Sequence, residues 1–182
     1  MPIKMDINYR LEATIEALHQ ETELYIKQSL KLDVVSSQKT LETLETIEMR
    51  DMTVIIVLNG AIGFSIAFSF GRDLSAEILR IESAAYGLVI KESEYVKYIQ
   101  AAIAEMVNVI IGRSCTLLQE EGRLINITTP MVIEKSGKLH RPKDASFSQL
   151  TIKTNYGEFD VNCIAPSIIF DKNSANDLQG DR

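Results

Sequence analysis

The chain has no tryptophan, two cysteines (Cys115 and Cys163) and two histidines (His19 and His140) in 182 residues. Two thiols so far apart, without the spacing of a C-x-x-C unit, exclude a disulfide framework, and with so few histidines they exclude a zinc cluster. An excess of positive charge is missing too. The 19 Lys and Arg stand against 25 Asp and Glu, a formal charge of −6, which argues against nucleic acid or an anionic membrane surface as the main partner. No glycine-rich phosphate loop, Walker lysine or G-x-S-x-G elbow occurs, and neither histidine has a nucleophile placed near it, so nucleotide cradling and triad hydrolysis have no support. The N-terminal Met1-Pro2-Ile3-Lys4-Met5-Asp6 lacks the apolar run of a secretory signal. A reduced, cytoplasmic protein is the expectation.

Charge is also absent between Asp51 and Arg72, a stretch long enough to invite a membrane reading. Asn59-Gly60 interrupts it, and both residues accept the positive φ angles of a tight hairpin turn. After that dipeptide Phe64, Ile66, Phe68 and Phe70 alternate with Gly63, Ser65, Ala67 and Ser69; before it Val54-Ile55-Ile56-Val57 is a β-branched run. The stretch predicts a buried hairpin, residues 52–58 and 61–70, and no membrane insertion.

Residues 8–30 carry Leu11, Ile15, Leu18 and Tyr25 at helical spacing and predict an amphipathic helix. A Ser/Gln/Lys loop follows from Leu32. Residues 41–50 read either as a helical turn or as an irregular edge strand. A second helix is predicted over 74–85, with Asp73 as N-cap and Gly87 as terminator, and a third over 93–120, with Ser93 as cap and Gly122 as terminator. Residues 124–133, 149–154 and 158–164 read as strands, the last two joined by a tight turn at Asn155-Tyr156-Gly157. The segment 134–148 is a locally basic loop (Lys135, Lys138, Arg141, Lys143), either simply solvated or a docking patch for an acidic partner. The order α-β-β-α-α-β-β-β, in runs rather than in alternation, predicts an α+β fold with a mostly antiparallel sheet and helices packed on it. A single domain is expected over 1–170, with a polar tail over 171–182.

The third helix carries the candidate site. At about 100° per residue, Val96, Ile99, Ile103, Met106, Val107, Ile110, Leu117 and Leu118 gather into one apolar stripe. Glu105 and Asn108 fall nearly opposite it, one turn apart and so neighbours on the surface. Ala101 precedes them by a turn and Gly112 follows by a turn, small residues that let another molecule approach closely. Cys115 lies on the same helix, where a packed thiol is the simpler reading. Glu105 with Asn108 alone is too small a donor set for a metal.

The stretch AAIAEMVNVIIGRS, residues 101–114, followed by Pro130, resembles the CheC/CheX/FliY family of chemotaxis phosphatases, most closely the CheX type. In that family a helix presents a Glu-x-x-Asn pair, a glycine one turn later and a proline in the next strand; Glu105, Asn108, Gly112 and Pro130 match. One such helix rather than two is what makes the chain CheX-like. The resemblance implies a CheC-like fold, a homodimer joined through sheet edges, and dephosphorylation of the aspartyl-phosphate of a CheY-type response regulator in chemotaxis or another two-component pathway. Asn108 would hold the attacking water in line with phosphorus and Glu105 would pair with a partner lysine. Ala101, Gly112, Arg113 and Pro130 would line the docking surface. The chain would hold no cofactor or metal of its own, and Mg2+ would come with the partner. Two positions depart from the family pattern: Ala101 stands where many members have Asp or Ser, and Arg113 where a small or amide residue is usual. They favour the alternative, a non-catalytic adaptor of the same fold that docks a response regulator or a motor-switch partner.

Overall fold

The helical spacing of Leu11, Ile15 and Leu18 is realised in helix α1 (Ile7–Gln28), which buries all three together with Tyr25 and Ile26. In the computed structural model of the protein, residues 7–41, 44–60, 63–119, 124–141, 143 and 145–165 are described. Gly122 and the 171–182 tail lie outside them. After α1 come strands β1 (Val34–Thr40), β2 (Thr46–Met49), β3 (Met52–Gly60) and β4 (Phe64–Phe70). Helix α2 (Arg72–Tyr86), a single 3₁₀ turn (Glu92–Glu94) and helix α3 (Tyr95–Leu118) follow. The last part is all strand: β5 (Ile125–Ile127), β6 (Met131–Ile133), β7 (Gly137–His140), β8 (Ser146–Thr154) and β9 (Gly157–Ala165).

The main sheet is antiparallel throughout, in the order β1-β8-β9-β4-β3-β5, with β6 also paired to β3. A second ribbon, β2 with β7, stands apart. The α+β architecture with a mostly antiparallel sheet is therefore the one expected. One sheet face packs against the helices through Val54, Ile56, Leu58, Phe64, Ile66, Phe68, Phe70, Leu150, Ile152 and Val161. Phe70 stacks on Phe159 with ring centroids 5.0 Å apart. On the reverse face Ile47 of β2 packs with Phe147 and Ile164, and Leu139 of β7 leans on them. Both faces of β4 are buried, so this charge-free segment is a strand of the core.

Several local expectations are corrected. The 52–70 hairpin exists, but Leu58 pairs with Phe64, so Asn59-Gly60 is not the two-residue turn between the strands. Both residues instead extend β3 and pair with Asn126 and Ile125 of β5. Gly60 has φ +95°, and a Cβ there would lie 2.3 Å from the Leu124 carbonyl oxygen; the glycine serves a close approach of backbone. The loop after Leu32 becomes β1, a polar strand at the sheet margin tied to α1 by His19 with Ser37 (2.9 Å) and by the Lys39–Glu16 ion pair. Within 41–50 the strand alternative holds for Thr46–Met49, which form β2. The basic loop contains β7, and Lys138 and Arg141 reach Glu48 and Glu45 in and beside β2, at 3.4 and 2.6 Å. Residues 124–133 form two short strands rather than one, and Pro130, which has no N–H for a ladder, lies just before the second.

The caps also differ. Gly71, not Asp73, is the N-cap of α2, and the Arg72 N–H donates to Asp51 at 3.0 Å. Gly87 does end α2, in the left-handed conformation at φ 63°. Ser93 lies within the 3₁₀ turn and does not cap α3, whose N-cap is Glu94. The β8–β9 turn falls at Asn155-Tyr156, with Thr154 paired to Gly157 at φ +126°.

Candidate docking and catalytic face

Helix α3 lies on the sheet through Ile99, Ile103, Met106, Val107 and Ile110, all buried; Ile111 and Cys115 widen the stripe. Val96 and Leu117, expected in the stripe, are about half exposed because they sit near the two ends of the helix. Each fully buried side chain of this kind stabilises by roughly 2 kcal/mol. Those five alone hold the rotation of α3 with a combined preference on the order of 10 kcal/mol. The opposite face is therefore fixed outward, and Ala101, Glu105 and Asn108 are exposed on it. Gly112 is half-buried, and a Cβ built there would meet no atom within 4 Å. The glycine is not required by packing inside the chain. Arg113 is exposed beside this face. Pro130 is half-buried and lies just before β6, which pairs with β3.

Helix α1 runs antiparallel alongside α3. The Ser114 hydroxyl reaches the Ala17 carbonyl at 3.3 Å, while eight residues further along α1 Tyr25 feels the charge of Glu105. Thr14, Ala17, Glu21 and Tyr25 are buried positions at helical spacing along α1. The Tyr25 hydroxyl donates to Glu82 of α2 at 3.3 Å. Burial raises the pKa of Tyr25, with Glu82, Glu105 and Tyr86 adding to the effect. Glu82 is also raised, first by burial and further by Glu105, against the lowering effect of the Tyr25 hydrogen bond. Glu21, Tyr25 and Glu82 were not among the sequence-derived candidates. Glu21 had a signal: it falls on the buried helical stripe between Leu18 and Tyr25. Tyr25 was legible only as a core position of α1 and Glu82 not at all, since their contact spans two helices far apart in sequence.

The thiols are not nucleophiles in this arrangement. Burial pushes Cys115 up to about 11 and raises Cys163, which is wholly enclosed, further still. Two cavities, of about 540 and 430 Å3, flank Tyr95 on either side. Neither is lined by Glu105 or Asn108, which are exposed on the outer side of α3. Among the described residues no three His, Cys, Asp or Glu side chains converge as a metal site.

No protein-family model matches the sequence, and no curated protein sequence is significantly similar to it. Solved structures are informative. The chemotaxis protein CheX of Desulfovibrio desulfuricans superposes with a TM-score of 0.68 at 19% identity, over 82% of this chain and 97% of that one. The CheX of a CheX-CheY-BeF3-Mg+2 complex from Borrelia burgdorferi matches at 0.61 and 19%, over 83% and 96%. The FliY of Thermotoga maritima matches at 0.55 and 16%, over 90% and 91%. The resemblance read from residues 101–114 and the folded chain agree: this protein has the fold of the CheC/CheX/FliY chemotaxis proteins.

Proposed function

We propose that the protein is a cytoplasmic phosphatase that hydrolyses the aspartyl-phosphate of a CheY-type response regulator. The observation that carries this reading is the exposed Glu105–Asn108 pair on a helix whose opposite face is anchored in the core. The Borrelia CheX of the same fold, described in complex with CheY, supports a partner of that type. In the reaction a water oxygen forms a bond to phosphorus while the bond to the regulator's aspartate oxygen breaks. The products are inorganic phosphate and a free carboxylate, and the water proton passes to phosphate and solvent. Asn108 contributes position: its amide can accept from and donate to the water, holding it in line. Glu105 pairs with a lysine of the regulator and fixes how deeply the helix docks. Ala101 and Gly112 give clearance, and Mg2+ is held by the regulator.

A second reading, an adaptor of the same fold, is favoured by one observation: Arg113 stands exposed next to the face, where its charge opposes an incoming cation. The two readings separate on the decay of a CheY-type regulator phosphorylated by a small-molecule donor in Mg2+, with and without the protein. Faster decay supports the phosphatase; a stable complex with unchanged decay replaces it with the adaptor. A homodimer joined through a sheet edge is part of the same proposal, with β1 at one end of the main sheet. Sedimentation of wild type gives the test, and a monomer at all concentrations would refute it.

A further inference from the structure

The outward face of α3 does not begin at Ala101. Tyr98, Ala101, Glu105, Asn108 and Gly112 follow one another at steps of three, four, three and four residues, the spacing that keeps positions in one row along a helix. At about 100° per residue Tyr98 lies within roughly 20° of Glu105. The residues that anchor this end of the helix, Ile99, Ala102 and Ile103, are all buried, so Tyr98 shares the outward side with Glu105.

Tyr98 is 36% exposed and is not part of the hydrophobic core. Among the described residues its hydroxyl has no hydrogen bond and its ring no aromatic partner. The helix itself is not served by a tyrosine there, since Glu, Lys or Ala, which stand around it at Glu94, Lys97 and Ala101, are better helix formers. A tyrosine does serve an interface: its large, rigid, amphipathic ring is covered at little entropic cost, and tyrosine is enriched among the residues that dominate binding.

Reach connects Tyr98 to the pair. At 1.5 Å per residue it stands about 10 Å from Glu105 and about 15 Å from Asn108 along the axis. A stable interface covers about 800 Å2 on each partner, a patch that extends on the order of 15 Å from its centre. Centred on the Glu105–Asn108 pair, such a patch takes in Tyr98. The only charged residues within one turn of Tyr98 on α3 and its cap are Glu94 and Lys97, of opposite sign, so no net charge there favours an ionic partner over an apolar one.

We propose that Tyr98 is a further docking residue of this face, its ring packing on an aliphatic side chain that the response regulator carries beside its phosphorylation site, and that this contact contributes affinity and partner selection but no chemistry. The inference rests on the proposed function, because it names how that partner is recognised.

The test uses the full chain and a CheY-type regulator loaded with beryllofluoride and Mg2+, with dissociation constants measured at low salt and at about 0.3 M salt, where charge–charge contacts are screened. Tyr98→Ala should weaken binding about tenfold, by the same factor at both salt concentrations, whereas the effect of Glu105→Lys should shrink at the higher salt. Tyr98→Phe, which keeps the ring, should bind within about twofold of wild type. Decay of the phosphorylated regulator in a saturated complex should be as fast with Tyr98→Ala as with wild type, because the residue acts in docking alone. Replacing the facing aliphatic residue of the regulator by alanine should remove most of the difference between wild type and Tyr98→Ala. Thermal melts check that each variant is folded. If Glu105→Lys weakens binding but Tyr98→Ala stays within about twofold of wild type, the role of Tyr98 is refuted while the docking face survives. A loss that Tyr98→Phe shares would overturn the ring contact in favour of a hydroxyl hydrogen bond. If wild type binds no CheY-type regulator, the proposed function fails and the role of Tyr98 with it.

Discussion

Gly112→Ala separates what the chain needs to fold from what the face needs to work. Gly112 is interior to α3, and a Cβ there would meet nothing within 4 Å. No clash opposes the substitution in the free protein. Alanine in a helix interior is favoured over glycine by about 1 kcal/mol, which in a chain of this length raises the melting temperature by about 2–4 °C. The opposite sign is expected in function. If a partner closes onto this face to van der Waals contact, one added methyl costs about 1–3 kcal/mol of docking, which is roughly fivefold to 150-fold in affinity. Calorimetry of the free protein, together with titration against a beryllofluoride-loaded regulator, reads both signs. A variant that is more stable and docks as well as wild type would show that Gly112 provides no clearance.

Gly60→Ala should behave in the opposite way, because its φ is +95° and its Cβ would lie 2.3 Å from the Leu124 carbonyl oxygen; a loss of about 2 kcal/mol or more is expected from chemical denaturation. Asp160→Ala should cost about 2 kcal/mol, since it strips Arg50 of its 2.7 Å partner and Thr151 of its acceptor beneath the ribbon face; a melt within error of wild type would deny that this network stabilises the sheet. Iodoacetamide at about pH 8 should label neither cysteine of the native protein, because burial holds Cys115 near 11 and Cys163 higher; rapid labelling of Cys115 would contradict its packing.

The α3 face was legible because a helix over a sheet writes its orientation into the 3.6-residue spacing of Ile99, Ile103, Met106 and Ile110. Glu105 and Asn108 are defined by what lies opposite them. The strand β1 was illegible for the converse reason: at the sheet margin its residues 35–39 are exposed, so no apolar alternation marks it. Strand β7 looked like a basic loop because its partner, β2, supplies the acids that pair with it from far away in sequence. Asn59-Gly60 carried a real backbone signal that was read for the wrong contact, a hairpin turn instead of the approach of Leu124. Helix-to-helix neighbours such as Tyr25 and Glu82 depend on how α1 and α2 cross α3, which no local pattern encodes.

The central claim, that Asn108 positions the attacking water, is tested most directly by Asn108→Ala, through single-turnover decay of a phosphorylated CheY-type regulator in a saturated complex. The account predicts that the variant binds with an affinity close to wild type, because Glu105 and the clearance at Gly112 remain, and that acceleration falls by on the order of a hundredfold or more, as when a pre-positioned group acting in the transition state is lost. Undiminished acceleration in the saturated Asn108→Ala complex would contradict it.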